Sequence, residues 1–132
     1  MNKKYKVNKE LEEKRNKLME RKELNYPKEP IELTDDNFDE MIRKYPLIVV
    51  DLWAAYCPPC RIMGPIIDDL AKKYQGKIVF GKLDTTKNRT IPMKFGVNAI
   101  PTLLIFKNGK LVDRIIGLKP KPVLESELKK YI

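Results

Sequence analysis

The chain has no histidine and only two cysteines among its 132 residues. Structural zinc takes four ligands, drawn mostly from Cys and His, so a single copy of this chain cannot complete such a site. A zinc or iron–sulfur site would need a second chain, and no metal is expected. Two cysteines are also too few for a disulfide scaffold. No apolar run approaches the ~20 residues that a membrane-spanning helix needs. The first residues, MNKKYKVNKELEEKRNKLMERKEL, are charged throughout, without the apolar stretch of a secretory leader. Together these absences lead to the expectation of a cytoplasmic protein with no membrane association. There is no internal repeat.

What is present suits one globular domain. Hydrophobic residues make up 42% of the chain, enough for a packed core, and charged residues 34%. The net charge of +9 would attract acidic partners or nucleic acid. The charges are not concentrated, however. Residues 1–30 carry 10 Lys/Arg against 6 Glu, and the remainder 17 against 12 acids. A nucleic-acid module shows a denser basic stripe with aromatics beside it, so nucleic-acid binding is not expected.

Pro27 and Pro30 divide the chain. Before them, Glu10–Lys14 and Glu13–Lys17 are four apart in the favourable order, and Val7, Leu11 and Leu18 give a thin apolar stripe. The expectation for residues 1–30 is a charged extension, helical over about 8–24 or partly disordered. Residues 31–132 read as the folded domain. IEL at 31–33 is a short strand, and Thr34 can cap a helix over roughly 35–44. LIVVDLW at 47–53 is a nearly continuous apolar run, as in a central strand covered on both faces. A helix over 58–75 shows an apolar stripe through Ile62, Ile66 and Leu70, with Pro65 expected to interrupt and kink it. KIVFGKLD at 77–84 is a strand, a short helix covers 87–95 up to Gly96, and Asn108-Gly109 joins two strands in a hairpin. A final amphipathic helix covers about 121–131 through Val123, Leu124, Leu128 and Tyr131. The order β-α-β-α-β-α-β-β-α predicts an α/β fold, a mixed sheet with helices on both faces.

The two cysteines occur together in WAAYCPPCR, at the passage from the central strand to the following helix. A Cys-x-x-Cys pair in that setting reads as a redox dithiol. A thiolate at a helix N-terminus is favoured by the dipole and by unpaired N–H groups. Cys57, expected at the exposed end, would be the nucleophile, and Cys60, one turn in and more buried, the resolving thiol. Pro58 and Pro59 fall at the first helical positions, where their fixed φ is tolerated. They stiffen the loop and remove two backbone donors, leaving the Cys60 N–H as the nearest donor to Cys57. An inert pair is the bland alternative. Asp51 interrupts an apolar strand, and burial there raises the pKa of a carboxyl.

WAAYCPPCR resembles the WCGPC region of thioredoxins, and the resemblance runs from about Ile31 to Ile132. VVDLWA, MGPIIDDLAKKY, KLD at 82–84, AIPTLLIFKNG at 99–109 and DRIIG at 113–117 carry it further. Two positions depart from the family: Tyr56 stands for its Trp, and Pro58-Pro59 for its Gly-Pro. The resemblance implies a thioredoxin fold and a dithiol that reduces protein disulfides without a bound cofactor. It implies Asp51 as general base for Cys60, with Lys82 as its partner across the sheet. It implies that Pro101 is the cis-proline facing the dithiol, leaving the Ile100 backbone free to pair with an extended substrate. Trp53, Tyr56, Pro58, Pro59, Ile100, Pro101 and Gly117 would form the substrate surface. Met63, Met93 and Phe95 read as core or rim. The expected partners are disulfide-containing proteins and a thioredoxin-reductase-type electron donor, with the chain acting as a monomer. Two alternatives stay open: an oxidase or isomerase with a more oxidising pair, and a thioredoxin-fold protein-binding module.

Overall fold

A computed structural model describes residues 26–132. The helix expected over 8–24 lies outside the described residues. The elements follow the expected order: β1 (Ile31–Leu33), α1 (Phe38–Lys44), β2 (Leu47–Trp53), α2 (Pro58–Lys73), β3 (Val79–Asp84), α3 (Thr90–Lys94), β4 (Thr102–Lys107), β5 (Lys110–Ile116) and α4 (Lys121–Lys129). They build one five-stranded sheet in the order β1-β3-β2-β4-β5. β3 pairs parallel with β1 and β2, whereas β4 pairs antiparallel with β2 and β5.

β2 lies at the centre and is buried along almost its whole length. Successive side chains of a strand point to opposite faces, and β2 shows this as a division between two cores. Leu47 and Val49 join Met63, Ile67 and Leu70 of α2 and Leu124 and Leu128 of α4. Ile48, Val50 and Leu52 join Phe38 and Ile42 of α1, with Leu33, Ile91 and Phe106. A strand with apolar neighbours on both faces has no polar side, which is why LIVVDLW shows no alternation.

Three local expectations need correction. The buried stripe of α2 is Cys60, Met63, Ile67, Leu70 and Ala71, with Tyr74 buried at its C-cap, and Ile62 is 57% exposed. Both stripes share Leu70 and both satisfy helical spacing, so periodicity alone does not choose between them. The choice follows from the start of the helix, where Cys60 has to face the sheet. Secondly, α2 runs as one element through Pro65, which lacks only the N–H that would bond the Arg61 carbonyl. Thirdly, α1 starts at Phe38, three residues later than read. Thr34 does cap, but it caps a turn: its Oγ1 accepts from the Asn37 N–H at 3.2 Å, and Asn37 Oδ1 accepts from the Thr34 N–H at 2.7 Å. Asp35 serves a different helix, accepting from the Thr90 and Ile91 N–H groups at the start of α3 at 3.2 and 3.0 Å.

The Asn108-Gly109 hairpin forms as expected, with φ of 52° and 80° at the two turn residues. Positive φ at both centres is the primed turn that matches strand twist. Met93 is 80% exposed, so it belongs to neither core, whereas Phe95 packs against Phe38 and Phe106.

At Gly81 the Leu33 side chain of β1 fills the space beside β3. A Cβ there would collide with Leu33 Cδ1 and lie 2.9 Å from Leu33 Cγ, and Leu33 is completely buried. We therefore expect Gly81→Ala to cost about 1–3 kcal/mol through overpacking. Urea denaturation of the two proteins measures it, and an equal or higher midpoint for the variant would show that Leu33 can move aside.

Candidate active site

β2 ends at Trp53 and α2 begins at Pro58, so Cys57 closes the short turn at the end of the central strand and Cys60 lies in the first turn of α2. Cys57 is the N-cap of α2, with extended backbone at φ −94° and ψ 107°. Pro58 and Pro59 occupy the first helical positions, where a helix has no internal partner for an N–H. The first available donor is therefore the Cys60 N–H, and Cys57 Sγ accepts from it at 3.3 Å. The Cys57 carbonyl takes the next N–H, that of Arg61, at 3.2 Å. No acidic residue stands in the first turn of α2. Negative charge on Cys57 thus meets the positive end of a 16-residue helix with nothing nearby on that helix to oppose it.

Cys57 and Cys60 are joined as a disulfide, with Cα atoms 5.2 Å apart. The expectation that exposure distinguishes them is not met: Cys57 is 6% and Cys60 4% exposed. Ala54, Trp53 and Ile100 pack around both sulfurs and cover Cys57 nearly as well as its partner. What differs is position, since Cys57 caps the helix and Cys60 lies within it.

The Ile100–Pro101 peptide is cis, as the resemblance implied. It brings the Ile100 carbonyl oxygen to 3.8 Å from Cys57 Sγ. Pro101 in turn accepts from the Gly117 N–H at 2.8 Å, which ties the end of β5 to the same loop. Gly117 has φ of 88°, and a Cβ on it would meet nothing within 4 Å, so its side faces open space. Pro58 and Pro59 are exposed, and Tyr56 is 73% exposed beside them. Trp53 is half-buried, and its carbonyl is held by the Thr85 N–H and hydroxyl at 2.9 and 3.1 Å. Trp53 thus ends β2, Tyr56 lies in the turn, Pro58 and Pro59 open α2, and Ile100, Pro101 and Gly117 lie on the loops beside β4 and β5.

Behind the dithiol lies Asp51. It shares the parity of Val49 along β2, so its side chain points to the α2 side of the sheet. There it lines a cavity of about 190 Å³ together with Cys60, Gly64, Lys82, Trp53 and Arg61. Asp51 is 1% exposed, and its Oδ1 has no hydrogen-bond partner among the described residues. Burial pushes its pKa up to about 7, against the opposing pull of the Lys82 charge and with a smaller push from Asp68.

Lys82 is the strand-register partner of Asp51, as expected, but its ion pair is elsewhere. Its Nζ lies 3.1 Å from Asp68 Oδ1, and no Asp51–Lys82 salt bridge forms among the described residues. A buried pair would have to dehydrate both ions, whereas Asp68 is half-exposed and receives the ammonium while it keeps water. Asp68, Gly64 and Arg61 are the site residues that the motif reading missed. A signal existed for two of them. Cys60, Gly64 and Asp68 are each four apart, which places them along one flank of α2.

The thioredoxin family model matches residues 29–130. The chain is 44% identical over 102 residues to a thioredoxin from Porphyra purpurea, covering 76% of this chain and 95% of that one. It is 41% identical over 102 residues to a thioredoxin from Staphylococcus haemolyticus, covering 77% and 97%. It is also 45% identical over 101 residues to the chloroplastic M-type thioredoxin of Pisum sativum, covering 76% and 59%. Among solved structures, a mutant thioredoxin from Halobacterium salinarum superposes with a TM-score of 0.75 at 26% identity, covering 80% of this chain and 93% of that one. A helix-capping dithiol opposite a cis-proline, in a domain matched along nearly its whole length, places this chain in the thioredoxin family as a thiol–disulfide oxidoreductase.

Proposed function

We propose that the chain reduces protein disulfides in the cytoplasm, with Cys57 as the attacking thiolate, Cys60 as the resolving thiol and Asp51 as the proton acceptor for Cys60. The observation that carries the assignment is the Cys60 N–H donated to Cys57 Sγ at the helix N-terminus. That bond, and the helix end behind it, stabilise negative charge on Cys57 and not on Cys60.

The cycle starts from the dithiol. The Cys57 thiolate attacks one sulfur of a substrate disulfide, and the other substrate sulfur leaves as a thiolate and takes a proton from solvent. Cys60 then loses its proton to Asp51, and its thiolate attacks Cys57 Sγ. The second substrate sulfur leaves as a thiolate and is protonated as Asp51 gives up the proton it took, and the Cys57–Cys60 disulfide remains. A thioredoxin-reductase-type donor restores the dithiol by supplying two electrons and two protons. The dithiol is itself the redox group, so the cycle uses no bound cofactor. Attack is faster when the thiolate fraction is high and the leaving thiol is acidic. A carboxyl that exchanges its proton near neutral pH suits the second step, because it accepts a proton without holding its charge permanently.

The substrate surface comprises Trp53, Tyr56, Pro58, Pro59, Ile100, Pro101 and Gly117. An extended substrate segment would run past Ile100 and use its free backbone groups, and the aromatic and proline faces would cover the apolar flanks of the substrate disulfide. Lys82 acts on Asp51 through its charge. The chain works as a monomer.

Two outcomes follow. Cys60→Ser should accumulate a mixed disulfide with a protein substrate such as insulin, and Cys57→Ser should not. Non-reducing electrophoresis and mass spectrometry distinguish them, and trapping by Cys57→Ser instead would reverse the assigned roles.

The second concerns pH. Because the Asp51 pKa is raised in the folded state, the native protein binds more protons than the unfolded chain between about pH 4 and pH 7. The carboxyl's contribution is fully present below its unfolded value of 3.8 and is lost as pH rises through about 7. Asp51→Asn should therefore be more stable than the parent at pH 8, by up to about 4 kcal/mol, with the gain disappearing toward pH 4. Its release of substrate from the mixed disulfide should slow and lose its inflection near pH 7. Urea titrations at the two pH values and stopped-flow release measure both, and a stability gain independent of pH would exclude an ionised buried Asp51 as its cause.

A further inference from the structure

Lys82 stands directly across the sheet from Asp51, on the same face. Opposite charges on neighbouring strands attract each other. Here they do not pair, and the reason is on α2. Lys82 Nζ lies 3.1 Å from Asp68 Oδ1, and a Cβ at Gly64 would sit 3.7 Å from the same Nζ. The ammonium therefore passes over α2 at its smallest residue and stops one turn further on, at Asp68. Lys82 borders two spaces at once. The inner one is the cavity it shares with Asp51 and Cys60, and the outer one is a 280 Å³ cleft lined by Glu29, Pro30, Asp68, Lys72 and Lys82.

We propose that Asp68 is a positioning residue for the dithiol chemistry: it holds the Lys82 ammonium on the flank of α2 and so keeps the Asp51 carboxyl unpaired. This rests on the reading of Asp51 as proton acceptor for Cys60. One ammonium is contested by two carboxylates. Asp68 is half-exposed and receives it at little dehydration cost, whereas pairing with Asp51 would strip water from both ions. Without Asp68, the choice for Lys82 is between solvent and the cavity that already contains a carboxyl in register with it. An Asp51–Lys82 pair would hold Asp51 ionised and weaken it as a base. The charged groups around Asp51 are Lys82 from β3 and Arg61 and Asp68 from α2, with Cys60 as the thiol it faces. Glu29 and Lys72 stand further out, beside Asp68.

Asp68 also repels negative charge on Asp51 directly, so the test must separate that effect from the holding of Lys82. The direct readout is the titration midpoint of the Asp51 carboxyl, followed by carbon NMR in the full-length oxidised protein. Asp68→Asn should lower the midpoint by about 0.5–1 pH unit, because an opposite charge moves closer. Asp68→Glu should restore it. In a Lys82→Met background the same Asp68→Asn change should have less than half that effect, which is the coupling a double-mutant cycle isolates. An unchanged midpoint in Asp68→Asn would overturn the proposal, and so would an equal drop in both backgrounds, since Asp68 would then act by its own charge alone. The pH profile of Cys60-dependent release, measured on the same variants, distinguishes the underlying reading. If it follows the NMR midpoint, Asp51 is the base. If the midpoint moves and the profile does not, the positioning stands and the assignment of the base fails.

Discussion

The site depends on β2 being enclosed on every side. It is bonded to β3 along one edge and to β4 along the other, and its side chains enter two separate cores. A strand fixed in this way cannot slip, because a shift of one residue would exchange its two faces. Its fixed register settles three things together. It aims Asp51 at α2, sets Lys82 opposite Asp51, and ends the strand at Trp53 so that the chain must turn where the cysteines are. The apolar strand thus works as a ruler for the chemistry at its end.

Within that frame Cys57 and Asp51 are treated differently. Cys57 receives stabilisation of its charge from a backbone N–H and a helix end free of acids. Asp51 receives the opposite. It is buried, one oxygen has no partner, and the cation opposite it is occupied by Asp68. The fold favours the ionised form of Cys57 and disfavours the ionised form of Asp51. Both arrangements suit the proposed two-step exchange, in which one sulfur has to be ready in advance and the other must lose its proton only when needed. Burial raises the pKa of Asp51, and the proposed role gives that burial a use.

Much of this was legible from the residues alone. The element order, the hairpin at Asn108-Gly109 and the placement of Cys57 and Cys60 at a strand–helix passage follow from local chemistry that tertiary packing does not override. The cis bond before Pro101 came only through resemblance, since nothing in Ile100-Pro101 itself dictates it. Reading failed where two solutions satisfied the same pattern. Ile62 and Met63 both belong to helical apolar series, and only the docking of Cys60 against the sheet selects Met63. It failed again for charges. Lys82 has two carboxylates within reach, and the sequence contains nothing about which one can keep its water. The similar burial of the two cysteines is of the same kind, because Ile100 covers Cys57 from 43 residues away.

The most direct test of the account is the reduction potential of the Cys57–Cys60 pair, equilibrated against defined dithiol buffers. A reductant of protein disulfides should lie near ~−270 mV, the range of thioredoxin. A value of ~−180 mV or higher, in the range of isomerases and oxidases, would contradict the account. It would mean that the reduced form is stabilised enough for the pair to accept electrons from its substrates.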